Sequence, residues 1–157
     1  MSDWLPLLAF FGACFATALS GAIFTPGAWY EGLRKPWWRP PNWLFGPAWA
    51  VLFIMIAISG WLVWREVGFG TAILLYGLQL VLNFLWSAFF FGMRRPDYAL
   101  YDLIAMWFVI LACIFAFAPI SAWAMALMIP YISWVTFAGW LNFVMLQMNG
   151  PRPQLSG

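Results

Sequence analysis

The 157-residue chain has no histidine and few charged residues. The absence of histidine excludes imidazole metal sites, histidine acid–base catalysis and haem ligation by a proximal histidine. Charged residues make up 8% of the chain, against about a quarter in soluble domains. No two carboxylates are spaced for acid–base chemistry on one face, and no serine sits in a nucleophile elbow. We therefore expect no metal site and no dedicated catalytic apparatus, and a net charge of +2 gives no indication of nucleic-acid binding.

Cysteine is also scarce. Cys14 and Cys113 fall inside apolar segments that we assign to different helices. A disulfide is not expected, and neither thiol has a basic neighbour that would lower its pKa. Both are predicted to be small packing residues.

Apolar residues dominate the chain, at 66% with a mean hydropathy of +0.88. A helix needs about 20 predominantly apolar residues to cross a bilayer. Open strands are excluded because their unpaired backbone groups would face lipid. The sequence predicts an all-α membrane protein, a bundle of five transmembrane helices in a single domain over residues 1–157. The predicted helices cover residues 5–24, 43–64, 71–91, 97–118 and 121–148.

Two features affect these boundaries. The N-terminal segment opens with Asp3 rather than a basic region, so we count it as a true span and not as a signal peptide. The last two segments meet at Pro119, and the alternative is one broken helix. About 50 apolar residues cannot remain in a bilayer without turning back. Pro130 is expected to bend the fifth helix.

Residues 29–49 hold five tryptophans, four prolines and three of the seven basic residues. Proline fixes the backbone and removes a donor, so the first loop, residues 25–42, is predicted to be semi-rigid and non-helical. Indoles suit either the wall of a pocket or the depth of the lipid headgroups. Two interpretations follow, namely a lid over a ligand and an interfacial aromatic belt.

Basic residues fall mainly on one side of the predicted bundle. Positive residues favour the cytoplasmic side of a membrane. We therefore predict a cytoplasmic first loop and C-terminus, with the N-terminus outside. Six lie on that side against one, Arg65, on the other; the six are Arg34, Lys35, Arg39, Arg94, Arg95 and Arg152.

Polar side chains inside membrane helices are candidates for function. Two stripes combine an indole with an amide, and facing each other they would form an aromatic cavity with a few polar groups. The alternative is that Asn83 and Asn142 serve as interhelical hydrogen bonds, worth about 0.6–2 kcal/mol each. The stripes are Gln79, Asn83, Trp86 and Ser87 on the third helix, and Trp134, Ala138, Leu141 and Asn142 on the fifth.

Asp102 lies about one turn into the fourth predicted helix. We expect its carboxylate to face the bundle or to pair with Arg94 or Arg95, and a structural ion pair is favoured over a proton relay. Glu31 and Asp97 are interpreted as loop charges. Small residues at four-residue spacing on the first helix, at positions 9, 12, 13, 16, 20 and 21, permit close helix approach, either within the chain or in a homodimer.

Several motifs of the chain resemble those of the TspO/MBR family, the translocator proteins or tryptophan-rich sensory proteins. The resemblance runs from the first loop to the end of the fifth helix. It implies a five-helix bundle, usually a homodimer. The matching residues include Trp29, Tyr30, Leu33, Lys35, Pro36, Trp38, Pro40, Pro41, Phe45, Pro47 and Trp49, then Gln79, Asn83, Trp86 and Gly92, then Pro130, Tyr131, Trp134, Ala138, Leu141 and Asn142.

The resemblance also implies a ligand cavity under the first loop. Its ligands would be porphyrins such as protoporphyrin IX, haem-type tetrapyrroles, and isoquinoline or benzodiazepine drugs, with no cofactor required. Basic residues Arg34, Lys35 and Arg39 could meet porphyrin propionates at the rim. The family commonly has tyrosine where this chain has Phe53. The implied ligand-binding residues are Ala22, Trp38, Trp49, Phe53, Asn83, Trp86, Tyr98, Trp134, Ala138 and Leu141.

These motifs favour a membrane receptor or sensor for porphyrins. One alternative is a transporter of porphyrin, lipid or sterol, although the chain has no clear internal repeat. Sterol handling is less supported, because residues 143–149 lack the expected tyrosine followed by a basic residue. Another alternative is light-dependent porphyrin degradation that uses Trp49 and Trp134. A purely structural scaffold leaves the paired indole and amide stripes unexplained.

Overall fold

The computed structural model describes residues 4–23, 30, 32–39 and 41–150, and within them it is helical with no strand. This confirms the predicted all-α bundle. A π-helical turn, Ala88–Gly92, continues the third helix. The five helices are α1 Trp4–Ile23, α2 Asn42–Val67, α3 Thr71–Ser87, α4 Pro96–Phe117 and α5 Ala122–Asn149.

Local sequence explains several helix ends. Pro96 opens α4, where its missing N–H has no helical partner to lose. The Ser121 hydroxyl accepts the Ala124 backbone N–H over 3.2 Å and caps α5. Gly68 follows α2 with φ of 66°, a conformation that favours glycine. The chain turns back between α4 and α5, so they are two helices, and α5 then continues through Pro130.

Four helices, α2 to α5, are long and apolar enough to cross a bilayer, and α1 is apolar along Trp4–Leu19. Large apolar side chains cover the outside of the bundle, including Leu8, Phe108 and Phe115, which are each at least 60% exposed. Such a surface is compatible with lipid and not with water. The protein is therefore an integral, multi-pass membrane protein.

The helices form a closed ring in which α1 packs on α2, α2 on α5, α5 on α4, α4 on α3 and α3 on α1. Gly60 of α2 permits close approach, because a Cβ atom there would lie 2.6 Å from the ring of Tyr76. Both cysteines are buried and free, as predicted, and Cys14 Sγ lies 3.4 Å from Tyr76 Oη.

The interior is packed at both ends of this ring. Far from the first loop, the core contains Ile56, Tyr76 and Phe117, each at most 2% exposed. At the other end, Tyr30 and Leu33 of the first loop pack with residues of α3, α4 and α5 in a second cluster. The space between these two clusters holds the candidate site.

Candidate functional site

A cavity of about 700 Å³ lies inside the bundle. All five helices contribute to its wall, and Tyr30 of the first loop also borders it. Its surface is mostly apolar and aromatic, with a few polar groups. Both the size and this composition are typical of small-molecule sites.

The structure brings seven of the ten predicted ligand-binding residues together in the wall of this cavity. They are Trp49, Phe53, Asn83, Trp86, Trp134, Ala138 and Leu141.

Two of the other three predicted residues lie outside the cavity wall. The ring of Trp38 packs against Phe137, with 6.0 Å between centroids, next to the cavity but not in its wall. Tyr98 is 39% exposed and lies under the Arg95 guanidinium, 3.9 Å from its ring centroid. It is therefore outside the cavity. The side chain of Ala22 falls outside the described residues.

Aromatic rings hold one another in fixed orientations around the cavity. Trp134 makes edge contacts with Trp49, at 6.3 Å and 88°, and with Phe45, at 5.8 Å and 67°. On the opposite helix, Trp86 stacks on Phe90 at 5.2 Å and 22°. Rings fixed by such contacts present rigid apolar faces, so binding of a flat ligand would order few side chains and carry a small entropic cost.

The amides of both predicted stripes make interhelical hydrogen bonds at the cavity wall. Asn142 accepts the Trp86 indole N–H over 3.0 Å and donates to the carbonyl of Pro96, also over 3.0 Å. Asn83 donates to the hydroxyl of Tyr131 over 2.8 Å. Asn83 and Asn142 therefore line the cavity and also form interhelical hydrogen bonds, so both interpretations of these amides apply.

The indole N–H of Trp134 is buried and has no hydrogen-bond partner among the described residues. A buried unpaired donor is unfavourable by about 1–3 kcal/mol. Because Trp134 is part of the cavity wall, an acceptor atom of a ligand could relieve this deficit.

The first loop lies over one end of the cavity. Tyr30 is 7% exposed and contacts Phe91 of the π-helical turn at 5.5 Å. Trp38 packs inward on α5, whereas Trp37 and Trp43 are 93% and 71% exposed. The lid interpretation thus fits Trp38, and the interfacial belt fits the two exposed indoles.

A side-chain amide fastens this loop to the end of α5. Asn149 Oδ1 accepts the Arg34 backbone N–H over 2.7 Å, and Asn149 Nδ2 donates to the Arg34 carbonyl over 2.8 Å. This reciprocal pair joins residues that are 115 positions apart in the sequence. It holds the loop in place without using any side-chain charge.

We predict that Asn149→Ala loosens the first loop. Because the Arg34 N–H loses its acceptor, its hydrogen exchange should accelerate about tenfold, the equivalent of about 1.4 kcal/mol. Hydrogen exchange measured by mass spectrometry on peptides covering the loop would check this. The control is Asn149→Asp, which keeps the acceptor oxygen and should retain most of the protection. Equal exchange in the wild type and Asn149→Ala would contradict the prediction.

The basic residues predicted for the rim lie on the loop. Lys35 and Arg39 line a surface groove of about 570 Å³ together with Pro36 and Trp37. Lys35 Nζ also donates to the Leu33 carbonyl over 3.2 Å and sits 4.6 Å from the ring centroid of Tyr30. Arg34 is exposed. These three basic side chains belong to the first loop and do not line the cavity.

Five of the wall residues, all on α1 and α2, are also exposed at the surface of the bundle. They are Phe15, Ala18, Gly46, Ala50 and Ile54. Phe15 is 66% exposed and Ile54 is 50% exposed. The cavity therefore opens sideways between these two helices, at the level of the bilayer.

Asp102 faces the bundle, which is one of the two orientations expected for it, whereas the ion pair predicted with Arg94 or Arg95 is wrong. Arg95 makes two bonds, of 2.8 and 2.6 Å, with Asp97 instead, which raises the pKa of the Arg95 guanidinium. Asp97 is in the first turn of α4 and not in a loop, where a carboxylate also favours the helix dipole. Asp102 faces the interior, is 7% exposed, and its Oδ2 has no partner among the described residues.

Sequence reasoning did not assign a role at the site to Tyr131. It is fully buried and bonds to Asn83 and Gln79 across the bundle. A signal was present, because Tyr131 precedes Trp134 by three residues and Ala138 by seven, which places all three on one helical face.

Fold and cavity together define a multi-pass, all-α membrane protein with an aromatic cavity inside its bundle. A sequence profile of the TspO/MBR family matches residues 10–148. The chain belongs to the TspO/MBR family, as the resemblance of its motifs indicated.

Relatives with long alignments support this assignment. The tryptophan-rich sensory protein of Cereibacter sphaeroides is 40% identical over 152 residues, which cover 97% of this chain and 96% of that protein. The tryptophan-rich protein TspO of Chlorobaculum tepidum is 41% identical, over 92% of this chain and 96% of that protein. The translocator protein of Homo sapiens is 36% identical over 154 residues, which cover 93% of this chain and 91% of that protein.

Proposed function

We propose that this protein is a membrane receptor or sensor that binds porphyrins, such as protoporphyrin IX and haem-type tetrapyrroles, in the cavity between its helices. The same cavity would accept other flat, apolar molecules, including drug-like isoquinolines and benzodiazepines. The observation that supports this most is the cavity of about 700 Å³ walled by Trp49, Trp86 and Trp134. Indole faces bind flat aromatic molecules, and the volume is within the range of ligand sites.

Two further features support this proposal. The sideways opening between α1 and α2 would let an apolar ligand enter from the bilayer. The basic residues Lys35 and Arg39 lie on the first loop, and cations of this kind would pair with the propionates of a porphyrin that extended from the cavity to the loop. The names of the relatives, sensory protein and translocator protein, are compatible with a receptor that reports on its ligand.

The test is a titration of the purified protein in lipid nanodiscs with protoporphyrin IX, followed by tryptophan fluorescence. We expect saturable quenching that reaches one porphyrin per chain. Asn83→Ala should weaken this binding, because Asn83 is a polar group of the wall. Quenching that rises linearly, as in nanodiscs containing an unrelated membrane protein, would reject the proposal.

Light-dependent degradation of porphyrin at Trp49 and Trp134 is the second function we propose to test. Trp49 and Trp134 are in edge contact, 6.3 Å between centroids, so a macrocycle that bound against one indole would also be close to the other. This activity needs light and oxygen, whereas binding needs neither. A new absorbing product that forms only under illumination, and that Trp49→Phe abolishes, would support it.

We further propose that the first loop and C-terminus face the cytoplasm and that two chains form a homodimer. The proposed orientation is supported by the distribution of Lys and Arg between the loops. Labelling of single cysteines introduced at each end by a membrane-impermeant reagent, together with the mass of the protein in nanodiscs, tests both.

A further inference from the structure

Gln79, Tyr131 and Asn83 form a hydrogen-bonded chain between α3 and α5. Asn83 Nδ2 donates to Tyr131 Oη over 2.8 Å, and Tyr131 Oη donates to Gln79 Oε1 over 2.6 Å. Both bonds run in the same direction, away from the cavity. Because a phenol has a single proton to donate, a Tyr131 hydroxyl that donates to Gln79 can only accept from Asn83.

The deep end of this chain carries a donor and an acceptor that are both unpaired. Gln79 is fully buried and its Nε2 has no partner, while the carboxylate of Asp102 has no partner at Oδ2. Tyr131 Oη lies 3.6 Å from Met106 Sδ, and Asp102 is one turn before Met106 on the same face of α4. These two orphan atoms are not bonded to each other, so among the described residues the bond from Tyr131 Oη to Gln79 Oε1 is the hydrogen bond that orients the Gln79 amide.

The other end of the chain is the cavity. Asn83 lines the wall, and its Nδ2 is engaged by Tyr131. The amide oxygen of Asn83 has no protein partner among the described residues, so it is the atom of this amide that can meet a ligand. The cavity thus presents an acceptor on the α3 side.

We propose that Gln79 is a positioning residue that turns the Asn83 amide oxygen toward the ligand, acting through Tyr131. Gln79 Oε1 takes the Tyr131 proton. Tyr131 can then only accept from Asn83, and the Asn83 oxygen points to the cavity. The cavity accordingly prefers flat ligands that carry an N–H donor. This inference rests on the proposed function, since it requires a ligand in the cavity.

Three tricyclic molecules of matched shape test this preference. Carbazole carries an N–H donor, dibenzofuran an ether oxygen and fluorene neither. Equilibrium dialysis against nanodiscs with and without the wild-type protein would give each affinity after subtraction of lipid partitioning. We expect carbazole to bind about three- to tenfold more tightly than dibenzofuran, the range that one hydrogen bond provides.

Two variants separate positioning from general damage. Gln79→Glu keeps an acceptor for the Tyr131 proton, so the ratio of carbazole to dibenzofuran affinity should stay close to that of the wild type. Gln79→Met removes the acceptor of the Tyr131 proton, so Tyr131 should donate to the Asn83 oxygen and the preference should reverse toward dibenzofuran. In both variants the affinity for fluorene should stay within about twofold, because the shape of the wall is retained.

Ser59→Ala is the matched control. It deletes another buried interhelical hydrogen bond, from Ser59 Oγ to the Ala124 carbonyl over 2.7 Å, away from the cavity wall. Any change in the affinity ratio that reflects only lost stability should appear in this variant as well. We expect its ratio to match the wild type.

A wild-type ratio that survives Gln79→Met, or a ratio that Gln79→Glu and Gln79→Met change alike, would overturn the inference. Failure of all three tricyclic molecules to bind the wild-type protein would overturn it too, because the Asn83 oxygen would then not be available to such ligands. If the ratios change as expected but protoporphyrin IX does not bind, only the proposed porphyrin function fails. If protoporphyrin IX binds and the ratios do not change, only this inference fails.

Discussion

Trp134→Ala is expected to weaken protoporphyrin IX binding at least thirtyfold. Trp134 is at the centre of the aromatic wall, in contact with Trp49, Phe45 and Phe137. Its removal deletes the largest face offered to a flat ligand and releases the orientation of its neighbours. Loss of a central aromatic anchor of this kind typically reduces binding by 2 kcal/mol or more. The measurement is the fluorescence titration in nanodiscs described above.

Two other substitutions make this expectation specific. Trp134→Phe keeps an aromatic face and should reduce affinity by no more than about fivefold. Trp140→Ala removes an indole from the same helix, but Trp140 is 58% exposed and outside the cavity wall, so binding should stay within twofold of the wild type. Equal losses in Trp134→Ala and Trp140→Ala would mean that the aromatic wall does not hold the ligand.

Hydropathy was sufficient to predict the fold, because each helix must be long and apolar enough to cross the lipid bilayer, whichever helix it packs against. One difference is informative. The charged pair Arg65 and Glu66 predicted an end for α2 at residue 64, yet the helix continues to Val67. The Arg65 guanidinium lies 4.7 Å from the ring centroid of Trp61, one turn earlier, so its charge reaches the interface while its stem stays along the helix. A charge near a membrane surface need not end a helix.

The candidate site could be predicted in part, because helical periodicity places Asn83 and Trp86, or Trp134 and Ala138, on common faces. Periodicity does not give the rotation of one helix relative to its neighbour. The bond between Asn83 and Tyr131 therefore had to be seen in the structure, as did the choice between the two orientations expected for Asp102. Tyr98 is in the first turn of α4, where the Arg95 guanidinium packs on its ring. Sequence alone does not show that this contact holds Tyr98 outside the cavity.

The amide of Asn142 accounts for part of the stability of the cavity as well as its shape. It is 2% exposed and ties α3 to α5 through Trp86 and α5 to α4 through the carbonyl of Pro96. Asn142→Leu would leave the Trp86 indole N–H without its acceptor and would remove the side-chain bond to the Pro96 carbonyl. We expect the free energy of unfolding to fall by about 2–4 kcal/mol, since a buried donor left unpaired costs about 1–3 kcal/mol and the second lost bond adds about 1 kcal/mol.

Unfolding by sodium dodecyl sulfate in mixed micelles, followed by circular dichroism, would measure this loss. The matched control is Thr136→Val, which deletes one hydrogen bond between α4 and α5, from the Trp107 indole to Thr136 Oγ1 over 2.8 Å. That bond is exposed at the lipid surface and its loss should cost about 0.6 kcal/mol. If the two variants unfold at the same detergent fraction, Asn142 does not hold the three helices together. If Asn142→Leu is the less stable of the two, the amide that lines the cavity is also the bond that keeps α3, α4 and α5 in register around it.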